Sequence, residues 1–454
     1  MGRSFAGPVV SRHREPAHVI GAGFAGAACA VALADRGIPV TLWESSRGLG
    51  GRATSRRDPD SGEWLDNGPH LLMGCYRRTR ALLDRLGTAE GLRFQSTLHL
   101  PLYPEGHGGH RVDVRCPPLP APFSLILGLL GIDGLSLSER FNLLSVGDQL
   151  KKGSLPSGTV AAWLESAGAS AASVHLLWGP LCRAVINLEP AEAAAAPFIE
   201  ALRRALLGSA EDARLGWAAH GLGAFLGNSL GAALAARGGR VRHERVARVE
   251  QEAGRVTALV TRNDERVAAA RVVIATDPFA ARKLLPEGGA EALKRVLAGF
   301  RPSAIVSVYL WFTRPVAPFP AGTPFVGLPG RAFEWVFERD RLAGSAAGSG
   351  QRLALVASAA DTLSGQRREQ VLEQALSDLS SVFPGVRNTP LRHQVVIREG
   401  RATAALGPNT VRPQAGVVAG VEGLFLAGDY TDTGLPATIE GAVESGEMAA
   451  EMVP

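Results

Sequence analysis

The chain has 454 residues, 46% of them apolar and 20% charged, a globular composition long enough for two domains. Its net charge of +5 and dispersed arginines argue against nucleic-acid binding, and leave weak attraction to an anionic membrane surface open. The four cysteines lack C-x-x-C or metal-ligand spacing, which predicts reduced thiols, no metal and a cytoplasmic protein. No window of about 20 unbroken apolar residues predicts a membrane-spanning helix, so any contact with the inner membrane face is expected to be peripheral.

The first predicted element is a βαβ unit. His18–Ile20 is a short apolar strand that ends at Gly21-Ala-Gly23-Phe-Ala-Gly26, and a helix and a second strand, Val40–Trp43, follow. Glycines at this spacing permit a tight turn, close approach of a pyrophosphate to the backbone, and helix–strand packing. Glu44 ends the second strand, where a carboxylate accepts a ribose hydroxyl hydrogen bond. The pattern predicts a dinucleotide site.

Two further motifs extend this site. Gly50-Gly51-Arg52 predicts a second close pass of the backbone by the ligand, with the Arg52 guanidinium on a phosphate. The run from Asp66 to His70 predicts a turn beneath the cofactor ring. His70 is the titratable group expected there, and a structural, helix-capping histidine is an equally open interpretation. Leu71–Leu86 is predicted to be an amphipathic helix.

The middle of the chain changes in character. Prolines at 117–122 precede the apolar run Phe123–Ile132, which is either a core segment or an apolar surface for a lipid or membrane. Leu222–Ala236 predicts an apolar helix, and Ser303–Phe312 alternates like a strand. Gly221-Leu-Gly223 is not expected to bind a second dinucleotide, because no strand leads into it.

A closing motif lies near the other end of the chain. A predicted strand ends at Gly428-Asp429, and a helix is expected to begin near Ala437. Asp429 could accept hydrogen bonds from ribityl hydroxyls, while amides around Thr438 and Ile439 could face the N1/O2 edge of a flavin. A nicotinamide enzyme would not need this segment, so the pattern predicts FAD.

The order of motifs predicts an α/β protein with a discontinuous nucleotide-binding domain. A Rossmann-like FAD-binding domain is expected from residues 17–75, 215–285 and 396–454. It is interleaved with a mixed α+β substrate domain from residues 76–214 and 286–395. Residues 1–16 contain no apolar stretch typical of a secretion signal and are expected to be an N-terminal extension.

These motifs resemble the amine oxidase/phytoene desaturase superfamily of FAD enzymes, which implies the GR2-type version of the Rossmann-like domain. Within it, the runs Leu65–Tyr76, Trp178–Asn187 and Gly428–Ala442 resemble hydroxysqualene dehydroxylases. Membership implies a bacterial enzyme of squalene and hopanoid biosynthesis that reductively converts hydroxysqualene to squalene. It also implies that Val246 contacts adenine through its backbone. The FAD-binding residues predicted in all are Gly21, Gly23, Gly26, Glu44, Gly50, Gly51, Arg52, Val246, Gly428, Asp429, Thr438 and Ile439.

A C30 isoprenoid substrate would require an apolar cavity, because burying each CH₂ is worth ~0.8 kcal/mol. The aromatic residues predicted to line it, or else to belong to the core, are Phe123, Trp178, Trp311 and Phe312. We expect an acid to assist loss of an allylic hydroxyl, with hydride from the reduced flavin quenching the cation. Asp66 and His70 are the candidate acids. No second dinucleotide module is predicted, so the electron donor would be NAD(P)H or a reductase partner.

Three other functions remain open at the sequence level. A carotenoid or isoprenoid desaturase would run hydride transfer in the opposite direction. A flavin amine oxidase usually has an aromatic cage around the amine, and a chain with four tyrosines offers few residues for one. The third is a flavin-containing scaffold at a membrane surface without catalytic activity.

Overall fold

The computed structural model describes residues 15–120, 123–133, 135–151, 153, 155–345 and 350–454. Most of the predicted N-terminal extension, residues 1–14, lies outside the described residues. The strands are β1 (Ala17–Ile20), β2 (Val40–Trp43), β3 (Ser55–Arg57), β4 (Trp64–Asp66), β5 (Leu71–Met73), β6 (Leu92–Phe94), β7 (His99–Leu102), β8 (Val112–Arg115), β9 (Leu215–Ala218), β10 (Arg240–Arg242), β11 (Val246–Glu252), β12 (Arg255–Thr261), β13 (Arg266–Ala268), β14 (Val272–Ile274), β15 (Pro302–Phe312), β16 (Phe325–Gly327), β17 (Trp335–Glu338), β18 (Gln351–Ala357), β19 (Leu391–Ala404), β20 (Gly416–Val417) and β21 (Leu424–Leu426).

The helices connect and cover these strands. They are α1 (Phe24–Asp35), α2 (Arg77–Leu86), α3 (Phe123–Leu130), α4 (Leu137–Gln149), α5 (Val160–Ser166), α6 (Ala171–Ser173), α7 (Gly179–Ile186), α8 (Ala195–Leu206), α9 (Gly223–Ala235), α10 (Pro278–Leu284), α11 (Glu291–Ala298), α12 (Arg339–Ala343), α13 (Asp361–Ser364), α14 (Arg368–Val382) and α15 (Ile439–Met452). A π-helical turn at Val174–Trp178 leads directly into α7.

One sheet gathers strands from distant parts of the chain. Its order is β10-β2-β1-β14-β21-β20, and all neighbours are parallel except the β21–β20 pair. The four central strands are buried on both faces, as parallel strands between two helical layers are. Each of the three segments predicted for the nucleotide-binding domain contributes strands to this sheet. The α/β fold predicted from the sequence is confirmed.

Helix α15, near the C-terminal end of the described residues, packs on α1, near their N-terminal end. Small residues allow the contact: a Cβ at Gly446 would lie 2.1 Å from the carbonyl oxygen of Ala25. The alanines of α1 are buried nearly throughout, so the helix sits inside the fold. The N-termini of both helices thereby face the same cavity.

A second sheet has seven strands in the order β19-β15-β18-β17-β16-β7-β8. Strand β15 divides its side chains between two cores. Tyr309 and Trp311 face the helical layer that contains Trp178, whereas Leu310 and Phe312 pack with α14 on the opposite face. The predicted boundary at residue 396 falls inside β19, which runs along this sheet to the cavity.

The predicted helix Leu71–Leu86 is correct only from Arg77 onward. Leu71–Met73 instead forms β5, which pairs antiparallel with β9. Pairing with a distant strand therefore overrides the helical pattern at this point. The apolar helix predicted at Leu222–Ala236 is confirmed as α9.

Candidate cofactor and substrate site

A cavity of about 930 Å³ lies where the carboxyl ends of β1, β2, β14 and β21 meet. Parallel sheets place ligand sites at this edge. The turn after β1 is built around glycine: Gly21 has φ +104°, and a Cβ at Gly26 would lie 1.8 Å from the Gly21 carbonyl oxygen. No side chain caps the N-terminus of α1 at Gly23, and its first turn carries no acidic residue. Its first amides are therefore available to an anion.

Glu44 closes this end of the cavity. Its Oε2 accepts a hydrogen bond from the Ala22 amide at 3.0 Å, and its Oε1 accepts one from the Ser46 amide at 2.8 Å. Val246, at the start of β11, lines the same end. This is the arrangement in which the acidic residue after the second strand binds a ribose.

The Gly50-Gly51-Arg52 motif lies directly against the first turn. Gly50 donates its amide to the Ala22 carbonyl at 2.9 Å, and a Cβ at Gly51 would lie 3.2 Å from the Gly23 Cα. Arg52 Nη2 lies 2.8 Å from Asp429 Oδ1, and its Nη1 donates to the Ala402 carbonyl. Arg52 therefore ties the beginning of the chain to the segment after β21.

The N-terminus of α15 forms the opposite wall. Thr438 caps this helix by accepting a hydrogen bond from the Gly441 amide at 3.2 Å. Gly428, Asp429, Thr438 and Ile439 all line the cavity. With the other glycines, Glu44, Arg52 and Val246, eleven of the twelve residues predicted to bind the cofactor line this cavity. The twelfth, Gly26, packs against Gly21 behind it.

The turn at residues 66–70 separates the two candidate acids. His70 lines the cavity, and its Nδ1 lies 2.6 Å from the Gly68 carbonyl oxygen, which can only accept. Burial lowers the pKa of His70, so the ring is neutral, with its proton on Nδ1 and a free lone pair on Nε2. This geometry suits a hydrogen-bond acceptor rather than an acid.

Asp66 points away from the cavity. Its Oδ1 accepts hydrogen bonds from Ser55 Oγ at 2.5 Å and from the Leu222 amide at 2.9 Å. Burial raises the pKa of the Asp66 carboxyl, because desolvation disfavours its charged form. Asp66 therefore fixes the turn to the start of α9 and does not reach the reaction space, where its neighbour Asn67 lies instead.

Next to the turn at residues 66–70, part of the cavity wall is apolar. We call this part the apolar chamber, and the residues that line it are Leu71, Tyr76, Ala184, Val185 and Ile305. Asn187, in a left-handed conformation at the end of α7, holds this wall by donating to Thr403 Oγ1 at 3.0 Å. The sequence signal was present in the Trp178–Asn187 run and the alternation of β15, but neither showed which side chains face the chamber.

The four aromatic residues predicted to line the substrate site lie elsewhere. Phe123 is 62% exposed on α3, and Trp178 is 1% exposed in the helical core. Trp311 donates its indole N–H to Glu63 Oε1 at 3.0 Å, at the far end of β15 from the cavity. Phe312 faces α14 because successive strand residues point to opposite sides. None of the four lines the cavity.

Other features of the described residues bear on cofactors and location. All four cysteines are free. Asp58, Asp60 and His393 place three ligand atoms within 4.8 Å of one another, but Asp58 is already bound by Ser61 and His393. No described helix has both the length and the apolar character needed to cross a bilayer.

The shape and donors of the cavity fit a flavin dinucleotide. The uncapped N-terminus of α1, the glycine turns and a carboxylate placed to bind a ribose suit its ADP half. The α15 N-terminus and an apolar chamber adjoin the end that would hold the flavin ring. The chain belongs to the flavin containing amine oxidoreductase family, whose sequence model matches residues 24–454. Its cofactor is FAD.

Within that family the chain belongs with the hydroxysqualene dehydroxylases. It is 32% identical to the hydroxysqualene dehydroxylase of Rhodopseudomonas palustris and 30% identical to that of Sinorhizobium fredii, with 96% of this chain and 97% of each relative covered. A 15-cis-phytoene desaturase from an Oncidium hybrid cultivar is 25% identical, over 97% of this chain and 78% of that protein. A solved oxidoreductase from Methanosarcina mazei has the same fold, with a TM-score of 0.75 at 19% identity over 96% of this chain and 99% of that one.

Proposed function

We propose that this protein removes the hydroxyl group of hydroxysqualene reductively and releases squalene. The observation that carries the proposal is similarity to hydroxysqualene dehydroxylases along nearly the whole length of both chains. The structure supports it with an apolar chamber that continues from the cofactor cradle. Reduced FAD supplies hydride chemistry at the boundary between the two.

The chain's own residues divide the work between cofactor and substrate. We assign the ADP half of FAD to the glycine turns and Glu44, and its ribityl and ring end to Asp429 and the α15 N-terminus. The residues proposed to bind FAD are the twelve named from the sequence. Eleven of them line the cavity, and Gly26 supports the first turn from behind by packing against Gly21. Arg52 positions Asp429 through their ion pair.

The apolar chamber would hold the reacting part of the isoprenoid and exclude water. Leu71, Val185 and Ile305 present aliphatic surface, and each CH₂ buried against them contributes ~0.8 kcal/mol. Binding therefore needs no charged anchor on the substrate. The electrons would come from NAD(P)H or a reductase partner.

We further propose cytoplasmic action with peripheral contact at the inner face of the membrane, through α3 and α4. Phe123, Leu127, Leu137 and Phe141 are between 49% and 69% exposed on these two helices. Exposed apolar side chains concentrated on adjacent helices are typical of interfacial membrane contact. Co-sedimentation with liposomes tests this: replacing Phe123 and Phe141 by serine should abolish binding without loss of FAD.

The central experiment is an anaerobic incubation of chemically reduced holoenzyme with hydroxysqualene. We expect squalene by mass spectrometry and reappearance of the oxidised flavin spectrum. A flavin-loaded protein that leaves hydroxysqualene unchanged, but forms new double bonds in phytoene-like polyenes, would instead favour a desaturase. The similarity to phytoene desaturases makes this the second candidate.

A further inference from the structure

Five carboxylates line the cavity: Glu44, Glu244, Asp277, Glu399 and Asp429. Four of them already make close contacts with other groups of the protein. Glu44 accepts hydrogen bonds from the Ala22 and Ser46 amides, and Asp277 caps the N-terminus of α10. Glu244 and Asp429 lie within 2.8 Å of arginine nitrogens. Among the described residues, Glu399 forms no ion pair and caps no helix.

Glu399 lies on β19 at the border of the apolar chamber. It is the register partner of Ile305 on β15, so the two side chains share one face of the sheet. Its Oε2 accepts a hydrogen bond from Asn67 Nδ2 at 2.9 Å, and its Oε1 accepts a longer one from the Arg401 amide at 3.2 Å. The carboxyl is therefore attached to the turn that carries His70.

We propose that Glu399 is the acid that protonates the departing hydroxyl group, and that Asn67 positions it. The inference rests on the proposed function. The carbon–oxygen bond breaks as the Glu399 proton moves to the oxygen, which leaves as water. The hydride that completes the new carbon–hydrogen bond comes from reduced FAD, which is thereby oxidised. Solvent then returns a proton to Glu399.

The surroundings suit this role. The charged groups near Glu399 are Arg52, which is already paired with Asp429, and Arg401, whose guanidinium lies over Phe279. The turn carries two titratable groups: Asp66 points away from the cavity, and His70 is neutral. After proton transfer, the Asn67 amide stabilises the carboxylate.

The test uses reduced holoenzyme in anaerobic single turnovers, followed by flavin reoxidation and squalene formation. Glu399→Gln removes the acid but keeps the shape and the contact with Asn67. Glu399→Asp retains a carboxyl, and Glu373→Gln, on the exposed face of α14, is the matched control. Each variant is first checked for FAD content and thermal unfolding. A second substrate replaces the hydroxyl by an acetate ester, which leaves without protonation.

We expect Glu399→Gln to slow turnover of the alcohol by about 10²–10⁴-fold with little change in KM, because general acids contribute this much. The ester should restore its rate to within about threefold of wild type, and Glu399→Asp should retain part of the activity with the alcohol.

Equal slowing with both substrates, or no slowing, would overturn the acid role while leaving the proposed function intact. A wild-type enzyme that does not convert hydroxysqualene would refute the proposed function and the acid role with it.

Discussion

Glu440 joins two of the elements that border the cavity. It lies in the first turn of α15, is 4% exposed, and caps the N-terminus of α2, which has no cap of its own. Its carboxylate accepts hydrogen bonds from the Arg78 amide at 3.0 Å, the Thr79 amide at 2.9 Å and Thr79 Oγ1 at 2.6 Å. Tyr76, which lines the chamber, immediately precedes α2.

Replacing Glu440 by alanine should cost roughly 4 kcal/mol of unfolding free energy. The two Thr79 donors are buried, and each one left without a partner costs about 1–3 kcal/mol. Loss of a carboxylate at a helix N-terminus adds up to about 2 kcal/mol. Glu440→Gln should cost less, about 1.5–3 kcal/mol, because the amide oxygen still accepts.

The assay is denaturant unfolding of the apoprotein, with an FAD titration alongside. We expect weaker FAD binding in both variants, since the α15 N-terminus and Tyr76 lose their common support. Glu451→Gln, exposed on the last turn of α15, is the control and should behave as wild type. A loss below about 0.5 kcal/mol in Glu440→Ala, the size of an ordinary surface substitution, would refute the reasoning.

Three further predictions follow from the packing around the site. Gly26→Ala should abolish the bound-flavin absorbance, because its Cβ would lie 1.8 Å from a backbone oxygen, whereas Gly48→Ala, with 3.9 Å of clearance, should bind FAD normally. Ile305→Trp should fill the chamber and suppress squalene formation with FAD retained. Phe312→Ala should instead lower the unfolding free energy by about 3–5 kcal/mol and leave KM unchanged. The opposite pattern would contradict the faces of β15 assigned to these two residues. Burial lowers the pKa of His18 to about 4. Between pH 6.5 and 4 the unfolded state therefore binds a proton that the folded state does not. The unfolding free energy should fall by about 1.4 kcal/mol for each pH unit of acidification in this range. A His18→Asn variant should lose this slope in denaturant titrations, and an unchanged slope would exclude His18 as its source.

The cofactor cradle could be predicted from the sequence because its requirements are local. A glycine such as Gly26 is dictated by contact with a residue five positions away, and Glu44 follows from the length of one βαβ unit. The meeting of the two ends of the chain at one site could also be predicted from the sequence, because each end carries its own strand–turn–helix pattern. The structure adds that Arg52 links them through Asp429.

The chamber could not be predicted in the same way, because tertiary contacts define it. Alternation along β15 gives two faces, and nothing in the strand indicates that Ile305 meets the cavity while Phe312 meets α14. Glu399 is informative only through its register with Ile305 and its contact with Asn67, more than three hundred residues earlier. Leu71 fits a helical pattern until β9 pairs with it.

The packing of α15 on α1 also has a consequence for biosynthesis. The two helices are separated by almost the whole chain, yet both contribute an N-terminus to the cofactor cradle. A nascent polypeptide can form its βαβ unit early, because segments fold in the order in which they leave the ribosome. It cannot enclose the flavin until α15 has been synthesised. Assembly of the holoenzyme must therefore be a late event, and it depends on the FAD that is available when translation of α15 ends.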